Sequence, residues 1–362
     1  MKKVLVAMSG GVDSSVAAYL LKKQGYECIG VTMKLYENET IGMCSDKTCC
    51  SLSDIEDAKS VAYRLDMPYY VFNFKEDFEK QVISRFVNAY ENGYTPNPCI
   101  DCNRYMKFEK LYKRAKILGC DYVATGHYAQ ILQDETGRYH LRKGKDEKKD
   151  QSYVLYDLTQ EQMAHTLLPL GGMEKSEVRK IAEEQGFLNA AKHDSQDICF
   201  VPDGDYTKFL REHTGHDYPE GDFVDQKGMV LGRHKGVVQY TVGQRRGLGI
   251  SAPQSLYVIE KDIEHNQIVV GTREELGQTI LFGKDLNLIS VDCIEEPLPL
   301  TVSIRYHQKP QEAIVTQMDA NHVRVEFKEP QYGVAPGQAV VFYDKDEVVG
   351  GATIQREADL TV

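Results

Sequence analysis

The sequence predicts an α/β protein in which a parallel sheet covered by helices is followed by two small β-rich, barrel-like domains. Three observations predict this fold class. An apolar run near the N-terminus ends in a glycine turn, and strand and helix patterns then alternate through the first half of the chain. Beyond about residue 215, glycine turns separate short β-branched runs, which is typical of small antiparallel barrels. We expect three domains, over residues 1–213, 214–280 and 281–362.

The first half of the chain alternates strand and helix patterns in the order of a parallel sheet. Apolar runs predict strands over residues 3–8, 27–35, 69–74 and 121–125. Amphipathic runs predict helices over residues 14–24, 53–66, 76–91 and 104–118. A hairpin is expected in YAQILQDETGRYHLRKG, followed by a helix from Lys175 to Gln185 that ends at Gly186.

The stretch MSGGVDSSVAAYLL joins the first predicted strand to the first predicted helix. Gly10 and Gly11 let an anion approach the unpaired N–H groups of a helix N-terminus, where proteins commonly bind phosphate. Hydroxyl donors come from Ser9, Ser14 and Ser15. A Walker loop would supply a lysine, but this stretch has Asp13, which suggests a bridging magnesium ion or a helix cap. SGGVDSS resembles the pyrophosphatase loop of adenylating enzymes, which split ATP into AMP and pyrophosphate.

Three residues are expected to contact the ligand of this loop, one at the start of the loop and two beyond it. Ligands of parallel sheets bind at the carboxyl ends of the strands. Ser9, Met33 and Gly126 follow or lie near such ends in the predicted sheet. We therefore expect one nucleotide to contact all three.

The composition is ordinary for a folded protein, with 42% hydrophobic and 27% charged residues. No apolar run approaches about 18 residues and no signal peptide is recognised, so a cytoplasmic location is expected. The net charge of −11 argues against nucleic-acid binding by the bulk surface. Two basic stretches, residues 104–116 and 142–151, are candidates for local binding patches.

Nine cysteines without a secretion signal indicate reduced thiols rather than a disulfide framework. Cys99 and Cys102 lie in TPNPCIDCN, which we expect to be a loop between two helices, and Cys199 lies in DSQDICFVPD. Such loop thiols are well placed to react, and Arg104 and Lys107 would favour a thiolate at Cys102. The three thiols suit a redox couple, the ligands of an iron–sulfur cluster, or a sulfur carrier with a resolving thiol. An adenylating loop favours sulfur insertion over redox exchange, because it turns an oxygen into a leaving group.

The other six cysteines form two sets. Three lie in or beside apolar strand-like runs and are expected to be packed core thiols: Cys28, Cys120 and Cys293. The segment MCSDKTCC has irregular spacing and no histidine, which argues against a zinc site and favours a flexible loop. It holds Cys44, Cys49 and Cys50.

Taken together, the motifs resemble one family over essentially the whole chain: the tRNA-specific 2-thiouridylases, which replace O2 of the wobble uridine by sulfur. The matching segments are AMSGGVDSS, VTMK, CCS with DIEDA, TPNPCIDCN, MKF, ATGHYA, KDQSY, PLG, DSQDICF, YTVGQRRGLG, IRY and APGQA. The resemblance implies an adenine-nucleotide alpha-hydrolase-like domain that uses ATP and Mg²⁺. It also implies tRNAs for glutamate, glutamine and lysine as substrates, and a cysteine desulfurase or sulfur-relay protein as sulfur donor.

The resemblance further implies roles for individual residues. Cys199 would carry a persulfide, and Cys102 would act as the second catalytic thiol. ATP would be bound by Ala7, Met8, Ser9, Gly10, Gly11, Val12, Asp13, Ser14, Met33 and Gly126. The target base would lie against Asn97, Pro98 and Cys99. Further tRNA contacts would come from His127, Lys149, Asp150, Gln151, Arg305, Tyr306 and Gln338.

Some members of the family have aspartate where this chain has Cys99, so three thiols are available here to one site. A 4Fe–4S cluster on Cys99, Cys102 and Cys199, with sulfide on its open iron, is therefore an alternative to the persulfide relay. Two other functions are also considered. They are a pyrophosphatase-loop ligase that adenylates a carboxylate, and an RNA-binding module whose nucleotide loop is regulatory.

Overall fold

The computed structural model describes residues 1–36, 52–192 and 198–361. The chain divides into two compact units. The first comprises Met1–Ile83, Pro98–Asp205 and Asp346–Val348, and the second comprises Ser84–Asn97, Tyr206–Lys345 and Val349–Val362. Within the described ranges, no helix is both long enough and apolar enough to cross a membrane.

The described part of the first unit contains seven strands in its first two segments. They are β1 Lys3–Ala7, β2 Glu27–Lys34, β3 Tyr69–Asn73, β4 Tyr122–Ala124, β5 Ala129–Gln133, β6 Tyr139–Lys143 and β7 Thr166–Leu167. Five of them form a parallel sheet in the order β3-β2-β1-β4-β7, and β5 and β6 form an antiparallel hairpin. Val4, Leu5 and Val6 of the central strand β1 are fully buried, as a strand covered on both faces requires.

Helices alternate with these strands along the first half of the chain, and one of them, Ser84–Glu91, belongs to the second unit. They are α1 Val12–Lys23, α2 Leu52–Arg64, α3 Lys75–Phe78, α4 Ser84–Glu91, α5 Pro98–Asp101, α6 Leu111–Ile117, α7 Gln160–Ala164 and α8 Lys175–Glu184. Two π-helical segments join them, Glu79–Ile83 between α3 and α4 and Cys102–Lys110 between α5 and α6. A 3₁₀ turn spans Ser152–Leu155. The apolar side of α1 packs into the core through Val16, Ala17 and Leu21.

The α/β fold class predicted from the sequence is confirmed, and the predicted strands, helices and hairpin are present to within a few residues. One local expectation is wrong. The cysteines of TPNPCIDCN do not lie in a loop, because Cys99 belongs to α5 and Cys102 begins the following π-helical segment. Pro98 is the physical reason, since proline suits the first position of a helix, where its missing N–H has no intrahelical partner.

The second unit contains a four-stranded sheet. Its strands are β8 Gly221–Val224, β9 Val230–His234, β10 Tyr257–Asp262 and β11 Gln267–Gly271, in the order β10-β11-β8-β9. The sequence predicted antiparallel pairing, but β8 and β11 are parallel, while the other two pairs are antiparallel. Because the long connection of residues 235–256 separates β9 from β10, no tight turn forces the β10–β11 hairpin to pair antiparallel with β8.

Six strands close into a barrel at the end of the chain. They are β12 Gly277–Leu288, β13 Leu298–Ser303, β14 Gln311–Gln317, β15 Val323–Tyr332, β16 Ala339–Asp344 and β17 Glu347–Gln355. Their order is β12-β15-β14-β13-β16-β17, and pairing of β12 with β17 closes the ring. Alternate residues of β15, Val323, Val325 and Phe327, are buried inside. This half also contains α9 Tyr206–Thr214, α10 Arg273–Leu276 and 3₁₀ turns at Val237–Gln239 and Glu357–Thr361.

Phe342 tests the core of the barrel. Its side chain in β16 is fully buried, so Phe342→Ala should lower the free energy of unfolding by about 3–5 kcal/mol through lost burial and a new cavity. Urea denaturation followed by circular dichroism measures the loss. Ile314→Ala in β14 is the matched control, because this side chain is 47% exposed and its removal should cost no more than about 0.5 kcal/mol. Equal losses in the two variants would contradict this account of the core.

Candidate active site

The glycine loop connects β1 to α1. Gly11 is the N-cap of the helix, and no side chain caps the N–H groups of its first turn. Gly10 has φ of +76°, a conformation that favours glycine. A Cβ atom at Gly10 would lie 2.8 Å from the Cα atom of Asp54 in α2. Position 10 therefore requires glycine both for its backbone conformation and for its close approach to a neighbouring helix.

The loop serines are hydrogen-bonded within the loop. The hydroxyl groups of Ser14 and Ser15 donate to the carbonyl of Gly11 at 3.1 and 3.0 Å, and Ser14 Oγ accepts from the N–H of Ser9 at 3.2 Å. Asn189, which follows α8, donates to Ser15 Oγ and to a loop carbonyl, both at 2.9 Å. These bonds hold the loop in one conformation before any ligand binds.

Two lysines distant in sequence reach this loop. Lys175, the first residue of α8, donates from Nζ to both carboxylate oxygens of Asp13 at 2.7 Å and is 8% exposed. Lys192 donates to Asp54 and to the carbonyl of Gly10 at 3.4 Å, and it also forms an ion pair with a second carboxylate of α2. The loop has no lysine of its own, and tertiary structure places two ammonium groups beside it.

Asp13 links the loop to two other segments. It lies one residue inside α1, after the N-cap Gly11, so the expectation that it caps the helix is wrong. Its carboxylate accepts from Lys175 and, at 2.7 Å, from the hydroxyl of Tyr128. The acid that stands in place of a Walker lysine therefore recruits a lysine from elsewhere in the chain.

Gly126 and Met33 lie at the same edge of the sheet as the loop. A Cβ atom at Gly126 would lie 2.9 Å from the backbone nitrogen of Ser14, so the chain after β4 passes directly against the start of α1. Met33 lies near the carboxyl end of β2, and the carbonyl of Val31 in that strand accepts from the N–H of Met8 at 2.8 Å. Residues expected to bind ATP from three strands therefore share one edge. Their contact with ATP remains a prediction.

Cys102 is nearly buried, with 9% exposure, at the start of the π-helical segment Cys102–Lys110. The far end of that segment is joined to α3 by an ion pair between Lys110 and Asp77. Arg104, which the sequence placed near the thiol as a cation, pairs with Asp157 at 2.9 Å. The thiol thus lies on a helix that is attached at several points to the rest of the first unit.

Cys199 is partly buried on a segment that also packs against α3. Its carbonyl accepts from the hydroxyl of Tyr36 at 2.8 Å. The neighbouring Phe200 packs edge-on against Phe78 of α3, with ring centroids 5.8 Å apart, and Tyr36 contacts the same ring at 6.0 Å. The segments that carry Cys102 and Cys199 therefore rest on one short helix.

The remaining cysteines differ in environment. Cys28 and Cys120 are buried, as predicted, and burial raises the pKa of both thiols, that of Cys28 to about 11. Cys293 is exposed, which contradicts its predicted place in the core, because it lies in the connection between β12 and β13 rather than in a strand. Three further cysteines lie outside the described residues: Cys44, Cys49 and Cys50.

The three proposed cluster ligands do not form a metal-binding group. Among the residues that the structure describes, which include Cys99, Cys102 and Cys199, no three His, Cys, Asp or Glu side chains are grouped to hold a metal ion. Cys99 is exposed, Cys102 is buried and Cys199 is intermediate. The three thiols are therefore not assembled as cluster ligands in this structure, and a cluster on them stays a prediction.

His127 is buried, with 8% exposure, directly after Gly126. Its Nδ1 lies 2.7 Å from Thr125 Oγ1, and its Nε2 lies 3.4 Å from Nζ of Lys107, which also donates to Asn103 at 2.9 Å. Burial and, next, the charge of Lys107 hold the pKa of the imidazole well below its usual value. His127 is therefore neutral at neutral pH, and an ammonium donor at Nε2 makes that nitrogen the acceptor.

All three residues expected to bind tRNA after β6 are hydrogen-bonded within the protein, Lys149 through its backbone N–H to the carbonyl of Asp146 at 3.0 Å. Asp150 accepts from the N–H of Gly144 at 2.9 Å. The side-chain Oε1 of Gln151 accepts from the backbone N–H of Tyr128 at 3.0 Å, and the backbone N–H of Gln151 donates to the carbonyl of Tyr128 at 2.9 Å. These bonds shape the loop that carries Lys149. Contact of all three residues with tRNA remains a prediction.

In the second unit, the segment expected to reach the target base is fixed by the turn before β16. The N–H of Thr95 donates to the carbonyl of Pro336 at 2.7 Å, and Gln338 donates to the carbonyl of Thr95 at 2.8 Å. A Cβ atom at Gly337 would lie 2.9 Å from the nitrogen of Thr95. Gln338, expected to contact tRNA, therefore also supports the chain that leads to Asn97.

Arg305 and Tyr306 follow β13 in the same unit. The guanidinium of the exposed Arg305 donates to the carbonyl of Gly333 at 2.6 Å. A Cβ atom at Gly243, in the motif YTVGQRRGLG, would lie 3.0 Å from Nη2 of Arg305. The rings of Tyr306 and His307 lie 3.8 Å apart between centroids. The structure thus fixes this segment by local contacts, and its binding to tRNA stays a prediction.

Three family models match successive parts of the chain. Their descriptions are tRNA methyl transferase HUP domain for residues 2–203, tRNA methyl transferase PRC-barrel domain for residues 207–272, and Aminomethyltransferase beta-barrel domain for residues 278–354. The matches correspond in turn to the parallel sheet, the four-stranded sheet and the closed barrel.

Curated relatives match nearly the whole chain. The tRNA-specific 2-thiouridylase MnmA of Clostridioides difficile is 51% identical, covering 98% of this chain and 98% of the relative. Relatives of the same name from Clostridium acetobutylicum and Acetivibrio thermocellus are 49% and 50% identical, each covering 98% of this chain and 99% of the relative. This chain belongs to the tRNA-specific 2-thiouridylase family. The family resemblance inferred from the motifs is confirmed.

Several side chains of this thiouridylase site were not identified from the sequence. Lys175 offered a signal, because a lysine at the first position of a helix opposes the helix dipole and therefore needs a carboxylate partner such as Asp13. Lys192 stands shortly before DSQDICF, but that spacing does not show what its ammonium group contacts. The sequence predicts Lys107 as a cation near Cys102, but it does not show the contacts of this lysine with Asn103 and His127. For Asn189 the sequence carries no signal, since its two acceptors, the carbonyl of Gly10 and Ser15 Oγ, lie far away in the sequence, near the start of the chain.

The surroundings of His127 predict its titration. In ¹⁵N NMR spectra of the labelled protein, His127 should remain neutral as the pH falls through 6.5, with Nε2 unprotonated, because burial disfavours the charged ring. Lys107→Met should move this titration to higher pH, since it removes a nearby positive charge. Lys113→Met, at an exposed lysine that pairs with Glu109, is the control and should leave the titration unchanged. A wild-type His127 that is half protonated at pH 6.5 would contradict the assignment.

Proposed function

We propose that this protein catalyses the ATP-dependent 2-thiolation of the wobble uridine of tRNA. Membership of the 2-thiouridylase family, which extends over 98% of the chain, carries the proposal. The site supports it in two ways. A preformed glycine loop at a helix N-terminus suits the phosphates of ATP, and two thiol-bearing segments rest on one helix.

ATP would bind at the carboxyl edge of the parallel sheet, with its phosphates on the loop from Ala7 to Ser14. Met33 and Gly126 would line the rest of the nucleotide. The ammonium groups of Lys175 and Lys192 would offset phosphate charge, as the lysine of a Walker loop does. Mg²⁺ would be held mainly by phosphate and water oxygens, which is usual for this ion, with Asp13 as the loop's own carboxylate.

The first chemical step makes an oxygen of the base a leaving group. O2 of the uridine attacks the α-phosphate of ATP, a new O–P bond forms, and pyrophosphate leaves with the electrons of the broken O–P bond. The uridine must first leave the stack of the anticodon loop to reach the site. Asn97, Pro98 and Cys99 would lie against the extruded base.

The two thiols then transfer sulfur. The terminal sulfur of a persulfide on Cys199 attacks C2 of the adenylated base, and AMP leaves with the electrons of the C2–O bond. The Cys102 thiolate next attacks the Cys199 sulfur, so the bond to the transferred sulfur breaks and its electrons form the thiocarbonyl. The products are 2-thiouridine and a Cys102–Cys199 disulfide, which a dithiol reductant reopens.

Transfer RNA would contact both units of the chain. Arg305 can pair with a backbone phosphate, and Tyr306 can stack on a base. The remaining contacts would come from His127, Lys149, Asp150, Gln151 and Gln338. Acceptors specific for glutamate, glutamine and lysine are the expected substrates. The sulfur donor would be a cysteine desulfurase or a relay protein, acting in the cytoplasm.

The persulfide relay is preferred to cluster chemistry because the three cysteines are not grouped as metal ligands in the described structure. No step is therefore assigned to iron. The family-model descriptions mention methyl transfer, but such a reaction has no use for an ATP phosphate loop or for a pair of thiols. Relatives that match the whole chain are thiouridylases by name, which favours sulfur transfer.

Cys199→Ser tests the sulfur carrier. The variant should lose thiolation of unmodified tRNA by at least about 100-fold, while tRNA-dependent pyrophosphate release continues, because adenylation does not use this thiol. Mass spectrometry of digested nucleosides measures the thiolation. Cys102→Ser should instead trap the tRNA on Cys199 through the transferred sulfur. Cys293→Ser, at an exposed cysteine of the barrel, is the control. Near wild-type thiolation by Cys199→Ser would overturn the assignment.

Lys175→Met tests the recruited lysine. We expect ATP to bind at least about 10-fold more weakly by isothermal titration calorimetry, because a charge-assisted contact is lost. Lys145→Met is the matched control, since the ammonium group of Lys145 forms an exposed ion pair with Glu177, which lies in α8 as Lys175 does. The double variant Asp13→Asn with Lys175→Met separates the roles. If this double variant binds ATP as tightly as the wild type, Lys175 only neutralises the charge of Asp13 and does not itself bind the phosphates of ATP.

A further inference from the structure

The second unit contains a group of charged and tyrosine side chains that the proposed reaction does not use. We define the Tyr94 cluster as Tyr94, Lys261, Lys284, Arg356 and Asp359. The guanidinium carbon of Arg356 lies 4.5 Å from the centroid of the Tyr94 ring, and Nζ of Lys284 lies 5.8 Å from it. Lys284 and Arg356 are cations and Asp359 is the one acid among these five residues, so the cluster carries a surplus of positive charge even without the buried Lys261.

Asp359 is held in this cluster as an anion. A single carboxylate oxygen, Oδ2, accepts from the hydroxyl of Tyr94, from the N–H of Arg356 at 3.3 Å and from Nε of Arg356 at 3.5 Å. A hydroxyl, a backbone N–H and a guanidinium around one anionic oxygen form a donor set that also binds phosphate oxygens. The chain's own carboxylate therefore occupies a site whose chemistry suits a phosphate group.

Lys261 is the buried member of the cluster, close enough to Arg356 for that charge to affect its titration. Its side chain is 3% exposed, and its ammonium nitrogen has no hydrogen-bond partner among residues 1–36, 52–192 and 198–361. It lies 5.8 Å from the centroid of the Tyr90 ring, and burial followed by the charge of Arg356 lowers its pKa to about 7. Nε2 of Gln355, the residue before Arg356, is also buried without a partner. Unpartnered buried donors are rare because each costs free energy, and here they adjoin an arginine.

The Tyr94 cluster adjoins the segment proposed to reach the target base. Tyr94 directly precedes Thr95, whose backbone forms hydrogen bonds with the carbonyl of Pro336 and the side chain of Gln338. A Cβ atom at Gly93 would lie 3.7 Å from Nη1 of Arg356, so the start of this segment passes close to the guanidinium. An anion bound here would lie next to the chain that leads to the base.

We propose that the Tyr94 cluster binds a backbone phosphate of the RNA substrate, and that Asp359 occupies this phosphate site while RNA is absent. The inference rests on the proposed function. A phosphodiester carries the same single charge as the carboxylate, likewise shared by two oxygens, and Lys284 beside the Tyr94 ring supplies a further cation. Asp359 belongs to the short 3₁₀ turn Glu357–Thr361, so its displacement requires movement of only that turn.

Binding of unmodified tRNA across a salt series, measured by fluorescence anisotropy without ATP, tests the proposal. Arg356→Gln should weaken binding about 10-fold and reduce the slope of log affinity against log salt by about 1, because one phosphate contact is lost. Asp359→Asn should tighten binding several-fold, because a competing anion is removed. Arg324→Gln, at an arginine of β15 that pairs with Glu326, is the matched control and should change neither quantity.

The outcomes separate this inference from the function on which it rests. A wild-type protein that fails to bind tRNA would overturn both. Wild-type binding with an unchanged salt slope in Arg356→Gln and in Lys284→Gln would overturn the phosphate site and leave the function intact. The second variant guards against misfolding of the first, which circular dichroism detects. If Asp359→Asn binds inorganic phosphate while its tRNA affinity is unchanged, the site serves free phosphate and the RNA inference is wrong.

Discussion

The carboxylate of Asp13 joins three segments at the nucleotide edge of the sheet. Lys175 binds both of its oxygens and Tyr128 binds one, so α1, the chain after β4 and the start of α8 meet at one charged point. Removing either partner of this partly buried ion pair would leave the other charge uncompensated. Tyr128 is in turn held by Gln151, so the loop that carries Lys149 depends on the same arrangement.

Local charge, rather than net charge, decides what this protein can bind. The chain carries a net charge of −11, yet ammonium groups lie beside the glycine loop and beside His127. In each place a lysine comes from a different element from the group it contacts. Electrostatic attraction of a ligand depends on the potential in the cleft where it binds, so an acidic surface elsewhere does not prevent binding of phosphate groups.

Position in the fold distinguishes the thiols of this chain more clearly than their sequence context. Cys28 lies in a buried strand where its pKa rises to about 11, so it stays protonated and inert. Cys293 looked similar in sequence but is exposed in a connection between barrel strands. Cys102 and Cys199 are both partly shielded on segments that rest on α3, which suits thiols that must act in sequence on one base.

The sequence by itself determined the order of strands and helices, the position of the glycine loop and the family, because these follow from local periodicity, turn residues and contiguous motifs. It misjudged the helix at Cys99 and the parallel pairing of β8 with β11, where local pattern is ambiguous. Only the tertiary structure decided which charges meet. Lys175 and Asp13 are 162 positions apart, and no local pattern encodes a contact that depends on how separate elements pack.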